Sequence, residues 1–472
     1  MNYRPLVILF AIALIARLLV FSFLISHFNV DPGLFWADSS QYTNLGKNLA
    51  DNGVFSMSDH APYTPDTLRT PLYPLVIAFF YTLFGNLWAT SLFQAFLNSL
   101  VPVLGALLAL KRYPSKRVAF LAGLFIALEP HFIIYGLSLS TEGIFIFLFT
   151  LTMFLFAKYL HNPSYKLAAL AALLTGMTAL TRPVFLYFAV IALFFIGWGV
   201  WRESKKKAFV SGLLFLVVVG AFVLPWSYRN YTVSGAFSFS SIGWVNVYTR
   251  TAATIDAMVN KNDFWTSYLR FLGKLKDEGY ITKLEEGELY DTKFNSLLKE
   301  RSLEIIKAHP KEFVLLQLLS TQAILTQDNM LYFLTHTELV PVPVRPPIPL
   351  SLSITQKGPV RAIYDLVPYL KGSYVIALVT RPVWILFFFF ALVGAWFLIK
   401  TRRGPERKIV LLLVAIICYF VVMTLPVASS IDARYRVGFE SVYFIFVATG
   451  LVICLERLGL KRIITLFTLK SG

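Results

Sequence analysis

Residues 36–52, WADSSQYTNLGKNLADN, and residues 67–74, TLRTPLYP, decide how this chain is read. They follow residues 5–28, an apolar run long enough to cross a bilayer. An aspartate opening a short amphipathic helix, then an Arg-x-Pro-x-Tyr-Pro turn, is more than a membrane connection requires. It suits a surface site that handles a lipid-linked phosphate. Arginine grips phosphate oxygens through its planar fork, and a carboxylate can take a proton from an incoming hydroxyl.

The rest of the composition agrees with a membrane setting. Of 472 residues, 57% are hydrophobic and only 15% are charged, with a mean hydropathy of +0.66. This is the profile of a polytopic membrane protein. The net charge of +17 would fit a nucleic-acid partner if it were clustered on one domain. Instead it sits in short loops: Lys111, Arg112, Lys116 and Arg117; Arg202 and Lys205 to Lys207; Lys400, Arg402, Arg403, Arg407 and Lys408; Arg457, Lys461, Arg462 and Lys470. That is the positive-inside pattern, and no nucleic-acid partner is expected. Residues 228–312 hold twelve Lys and Arg against eleven Asp and Glu, the balance of a small translocated segment. Cys418 and Cys454 both lie in apolar runs, so neither a disulfide framework nor a metal cluster is indicated.

Anchoring the basic loops inside gives ten spans with both termini cytoplasmic: residues 5–28, 86–110, 118–137, 143–158, 167–181, 183–201, 208–226, 376–400, 409–427 and 437–456. Residue 5–28 is read as an uncleaved first span, because no small-x-small cleavage site follows it. Residues 72–84 are short for a span and are expected to be juxtamembrane. Residues 313–334 carry Gln317, Ser320, Gln322 and Gln327, too polar to face lipid on all sides. The expected organisation is a transmembrane module over 1–227 with a first external loop at 29–70, an external helical segment at 228–312, and a C-terminal module at 313–472 with an external loop at 335–374. In the external segment, Tyr290, Phe294, Leu297 and Leu298 recur at helical spacing up to Pro310. Residues 339–350, LVPVPVRPPIPL, read as an extended cover.

On this topology Asp38, Arg69, Glu142, Arg182, Arg229, Arg434 and Arg436 share the outer face. Each has a plainer reading. Asp38 with Gln41 forms a capping box. Glu142 is a favourable first-turn acid after Ser140. Arg182 and Arg229 suit interfacial anchoring. Arg17 lies within the first span and needs a partner there. His131 and His161 are not spaced as metal ligands and receive no site.

The order of motifs raises the outer-face set above its parts. Asp38-x-x-x-Tyr42, Gly53-Val54-Phe55, Arg69-x-Pro71-x-Tyr73-Pro74 and Phe84-Gly85 resemble the first external loop of polyprenyl-phosphate-sugar-dependent glycosyltransferases of the GT-C fold. These are related to protein O-mannosyltransferases and the lipid A aminoarabinose transferase. Glu129-Pro130, Ser140-Thr141-Glu142, Ala179 to Pro183, Pro225 to Tyr231 with Gly235, and Arg434-Tyr435-Arg436 continue the resemblance over most of the chain. It implies an all-α polytopic fold of about 10–12 transmembrane helices. It also implies an enzyme that moves a sugar from a polyprenyl phosphate to an acceptor hydroxyl, with inversion, at the extracytoplasmic face of a cell membrane, bacterial or archaeal. The implied base is Asp38, with Glu142 as a second acid and Arg69 on the donor phosphate. Tyr42, Tyr73, Arg182, Arg229, Asn230, Arg434 and Arg436 are the further implied substrate-binding residues.

The resemblance requires no cofactor beyond the lipid-linked donor. A divalent metal is left open without being indicated. Partners are the polyprenyl-phosphate sugar, membrane lipids, and a glycan, lipid or protein acceptor. Two departures keep the acceptor open: Ser39 follows Asp38 where protein mannosyltransferases have Asp-Glu, and Arg69-Thr70-Pro71 stands where the aminoarabinose transferase has Lys-Pro-Pro. Against a flippase or transporter of a lipid-linked saccharide stands the lack of an internal repeat and the gathering of charge at one surface. Against a non-catalytic relative stands the presence of both acids.

Overall fold

The computed structural model describes residues 3–28, 38–110, 115–283, 289–327, 330–342, 353–354, 357–424 and 433–460. Among them, seven helices are long and apolar enough to cross a membrane: Arg4–His27, Trp88–Leu110, Thr141–His161, Pro183–Val200, Lys205–Ser234, Val375–Thr401 and Gly404–Thr424. Large apolar side chains such as Val190, Phe194, Phe209, Val217 and Phe389 are exposed on this bundle, as a lipid-facing surface requires.

The other three expected spans differ for identifiable reasons. Residues 118–137 are two helices, Lys116–Leu128 and Pro130–Tyr135, broken at Glu129. The Glu129 side chain accepts the Phe132 N–H at 2.9 Å and starts a new helix with proline in its first turn. Tyr165–Thr181 is a 17-residue helix. Glu440–Arg457 carries Glu440, Glu456 and Arg457 at its ends. The short apolar run forms the helix Leu72–Phe84, and the polar run near 313–334 forms Pro310–Thr326 followed by Met330–His336.

Phenylalanine rings pack against one another through the core. Phe149 and Phe420 meet edge-to-face with centroids 5.6 Å apart, as do Phe145 and Phe185 at 5.9 Å. Two glycines set the closest helix contact. A Cβ on Gly394 would lie 2.1 Å from the Phe446 carbonyl oxygen, and one on Gly450 would lie 1.9 Å from that of Phe390. Helices Tyr374–Thr401 and Glu440–Arg457 therefore touch backbone to backbone, the small-residue packing of apolar bundles.

Helix Lys205–Ser234 ends at Gly235, whose φ of 75° stops it. Beyond it the chain builds a separate small core from Val245, Tyr248, Phe271, Leu272, Leu275 and Leu298, with Tyr290, Phe294 and Leu297 packed against it. This segment also holds the loop that carries Arg69. Ser241 N–H donates to the Thr67 carbonyl at 3.3 Å, the Ser240 hydroxyl donates to the Leu68 carbonyl at 2.5 Å, and Thr292 N–H donates to the Thr67 hydroxyl at 3.2 Å.

Candidate active site

Five stretches of chain, far apart in sequence, bring Asp38, Arg69, Glu142, Arg182 and Arg434 together. Asp38 stands just before helix Ser39–Asn52 but does not cap it. Its carboxylate instead accepts from Arg69 Nη2 at 3.3 Å and from Arg434 Nη2 at 2.7 Å. Gln41, the other half of the expected capping box, also turns to Arg69 and accepts from its Nε at 3.2 Å. The capping-box reading of Asp38 is thus replaced by an ion-pair role.

Glu142 lies in the first turn of helix Thr141–His161. One of its oxygens, Oε1, pairs with Arg182 Nη1 at 2.7 Å and with Arg434 Nε at 2.6 Å. Arg434 therefore bridges the two acids. Arg182 reaches the site because its helix ends at Thr181 and Pro183 turns the chain. Arg69 is held further by Tyr42, whose hydroxyl accepts from Nη1 at 3.0 Å and whose ring lies 4.8 Å from the guanidinium carbon. Tyr73 is fully buried, edge-on to Tyr42 at 5.3 Å, and braces that ring.

Exposure separates the members. Glu142 is sealed, whereas the side chains of Asp38, Arg182 and Arg434 are 27%, 23% and 26% exposed and Arg69 is 12% exposed. Three guanidiniums face two carboxylates, an excess of one positive charge open at one side. Burial alone would raise the Asp38 carboxyl, but Arg434 and Arg69 outweigh it and hold it at about 2. Burial also works against the charge on Arg434, and Glu142 and Asp38 more than restore it, so its pKa lies well above the usual arginine range.

The remaining sequence candidates are placed elsewhere. Arg229 donates to the carbonyl of Asp66 and to Asn230 Oδ1, and lies over the rings of Trp226 and Phe55 at 5.0 and 5.2 Å. Asn230 is buried and donates to the Ser238 carbonyl at 2.9 Å. Both secure the loop beneath Arg69. Arg436 is fully buried and turned away from the cluster: it pairs with Glu440 at 2.6 Å, donates to the carbonyls of Ile324 and Gln327, and stacks on Trp384 at 3.5 Å. These buried partners set Arg436 apart from the half-open cluster around Arg434. Gln41, expected only as a capping partner, belongs to the surroundings, and so does Asp66, which the sequence reading did not single out and whose carboxylate accepts the Arg69 N–H at 2.9 Å. The Asp-x-x-Arg spacing of a local turn was the signal available for Asp66.

A second ionic group surrounds Arg436. Donor atoms of Glu129, His131 and Glu440 lie within 4.8 Å of one another, all buried, a set of types that can hold a divalent cation. His131, given no site from spacing, is drawn in because Glu440 arrives from the far end of the chain. Arg436 already holds one Glu440 oxygen. Arg17 lies against the same region and donates to the carbonyls of Ala13 and Phe132 at 2.9 and 3.0 Å, so its partners are backbone oxygens.

The chain's likenesses to known proteins bear on this geometry. Residues 68–227 match the family described as dolichyl-phosphate-mannose-protein mannosyltransferase. Its whole length superposes on the archaeal oligosaccharyltransferase AglB from Archaeoglobus fulgidus, in complex with an inhibitory peptide and a dolichol-phosphate, with a TM-score of 0.53 at 15% identity. This is the GT-C fold. The apo form of the Archaeoglobus fulgidus oligosaccharyltransferase matches 98% of the chain with a TM-score of 0.53 at 16% identity. The chain spans about half the length of these two proteins, 53% and 52%. ArnT from Cupriavidus metallidurans bound to undecaprenyl phosphate matches with a TM-score of 0.40 at 15% identity, over 97% of this chain and 80% of its own. No curated protein matches the sequence. The shared feature is the helical membrane bundle, and the five-residue cluster is built from helix ends and the turns beside them.

Proposed function

We propose that this protein transfers a sugar from a polyprenyl phosphate to an acceptor hydroxyl at the extracytoplasmic face, with inversion. The observation that carries the reading is the open cluster of three guanidiniums and two carboxylates. A polyprenyl-phosphate sugar is a phosphodiester with one negative charge, equal and opposite to the cluster's excess. The phosphate that departs carries two. Arginines placed for that growing charge stabilise the transition state more than the ground state.

Chemistry follows from the charges. Asp38 takes the proton of the acceptor hydroxyl as its oxygen attacks the anomeric carbon. The bond from that carbon to the phosphate oxygen breaks on the opposite face, and its electron pair leaves with the phosphate. Arg69 and Arg434 meet that phosphate, and in doing so they loosen their hold on Asp38. Its basicity then rises from the paired, strongly acidic state, so the base is switched on by the donor. Glu142, sealed between Arg182 and Arg434, keeps both guanidiniums aimed. The bound dolichol-phosphate of AglB, a protein of the same fold, supports a lipid-phosphate donor.

The test is transfer of labelled sugar from polyprenyl-phosphate donors in membranes, native against Asp38→Asn. The expected result is donor consumption that falls by about 10²–10⁴-fold in the variant, with donor binding retained. Transfer at the native rate in Asp38→Asn would overturn the assignment of the base.

A further inference from the structure

The Asp66 carboxylate reaches the five-residue cluster through the backbone amide of Arg69, and it is nearly sealed, at 5% exposure, one turn before Arg69. We propose that Asp66 is a positioning residue: its carboxylate fixes the amide of residue 69 and so aims the Arg69 guanidinium at the donor phosphate. This rests on the reading of Arg69 as a phosphate-binding group.

The geometry is that of a clamped turn. Asp66 Oδ2 accepts the Arg69 N–H at 2.9 Å, its own N–H donates to the Phe55 carbonyl at 2.9 Å, and its carbonyl accepts from Arg229. The carbonyls of Thr67 and Leu68 are taken by Ser241 and Ser240. The backbone from 66 to 69 is therefore fixed at each residue. A neutral asparagine would satisfy the same N–H without the cost of burying a charge. The charge has its own explanation in the groups facing it: Arg69 on the same turn and Arg229 from helix Lys205–Ser234. Burial raises the carboxyl to about 6, against the pull of the Arg69 amide and of both guanidiniums. Asp66 thus changes charge just below neutral pH, where Asp38 does not.

The experiment measures binding of the methyl diester of a polyprenyl phosphate to the full chain in detergent. This probe keeps one negative charge throughout the range used, between about pH 5 and pH 8. Asp66→Ala, which removes the acceptor for the Arg69 amide, should bind about tenfold more weakly at neutral pH, whereas Asp66→Asn, which keeps an acceptor, should bind nearly as the native protein does. Arg69→Ala should bind weakly at every pH. Native-like affinity in Asp66→Ala, or a loss in Asp66→Asn as large as in Asp66→Ala, would overturn the proposal while Arg69→Ala still lost binding. Unchanged binding in Arg69→Ala would overturn the reading of Arg69 itself, and the role of Asp66 with it.

Discussion

Two ionic groups lie side by side in this protein, and Arg434 and Arg436 of one short turn supply one each. Around Arg434, the side chains of Asp38, Arg69 and Arg182 are partly open and the charges do not cancel. Around Arg436, the ionic side chains are sealed, and Arg436 pairs with Glu440 and donates to two backbone carbonyls. The difference teaches how to tell a site from a strut. Both groups hold arginines and acids, so residue type does not separate them. Openness and residual charge do, because a ligand needs a way in and an unspent interaction.

Variants of the two neighbouring arginines should break the comparison most sharply. Arg434→Ala removes the bridge between Asp38 and Glu142, and turnover should fall by about 10²–10³-fold with little change in thermal stability, read by labelled-sugar transfer and melting in detergent. Arg436→Ala leaves Glu440 buried without its cation, which should cost about 3–5 kcal/mol of stability. Turnover per folded molecule should hold. If the two phenotypes were exchanged, the division into site and strut would be wrong.

Glu142→Gln tests the next level. It keeps a hydrogen-bond acceptor but frees Arg182 and Arg434 to reorient, so turnover should drop by about tenfold while donor affinity changes less. A finer contrast is pH. Asp38 is held at about 2, below its value in an unfolded chain, so its pairs add stability that is present above about pH 4 and fades as the pH falls toward 2. The stability difference between native and Asp38→Asn should shrink over that window. The smallest expected effect is ionic strength. Donor binding at the half-open cluster should weaken between low and physiological salt, while the melting temperature set by the sealed group stays constant.

Much of the fold was legible because bilayer crossing demands length and apolarity, and residues 5–28 or 376–400 announce both. Glu129-Pro130 shows what hides. A break in a span depends on one residue capping the next helix, and hydropathy averages over it. For the site, Asp38, Arg69, Glu142, Arg182 and Arg434 were expected on one face because connections between spans have only two sides to choose from, and the structure brings these five side chains together. Which arginine turns inward was not legible. Arg434 and Arg436 are equally charged and two residues apart, and only the arrival of Glu440, Trp384 and the end of helix Pro310–Thr326 decides between them. Asp66 was overlooked for a related reason: its partner is a backbone amide, and the Asp-x-x-Arg spacing that marks such a turn is a weak signal on its own.

The attachment of Thr67 and Leu68 to Ser240, Ser241 and Thr292 has a mechanical consequence. The Arg69 turn is moored on two sides: to the small domain beyond Gly235, and to the bundle through Arg229 and through the Thr70 hydroxyl, which donates to the Thr181 carbonyl. A displacement of this domain relative to the bundle would be carried by these bonds into the backbone that bears Arg69.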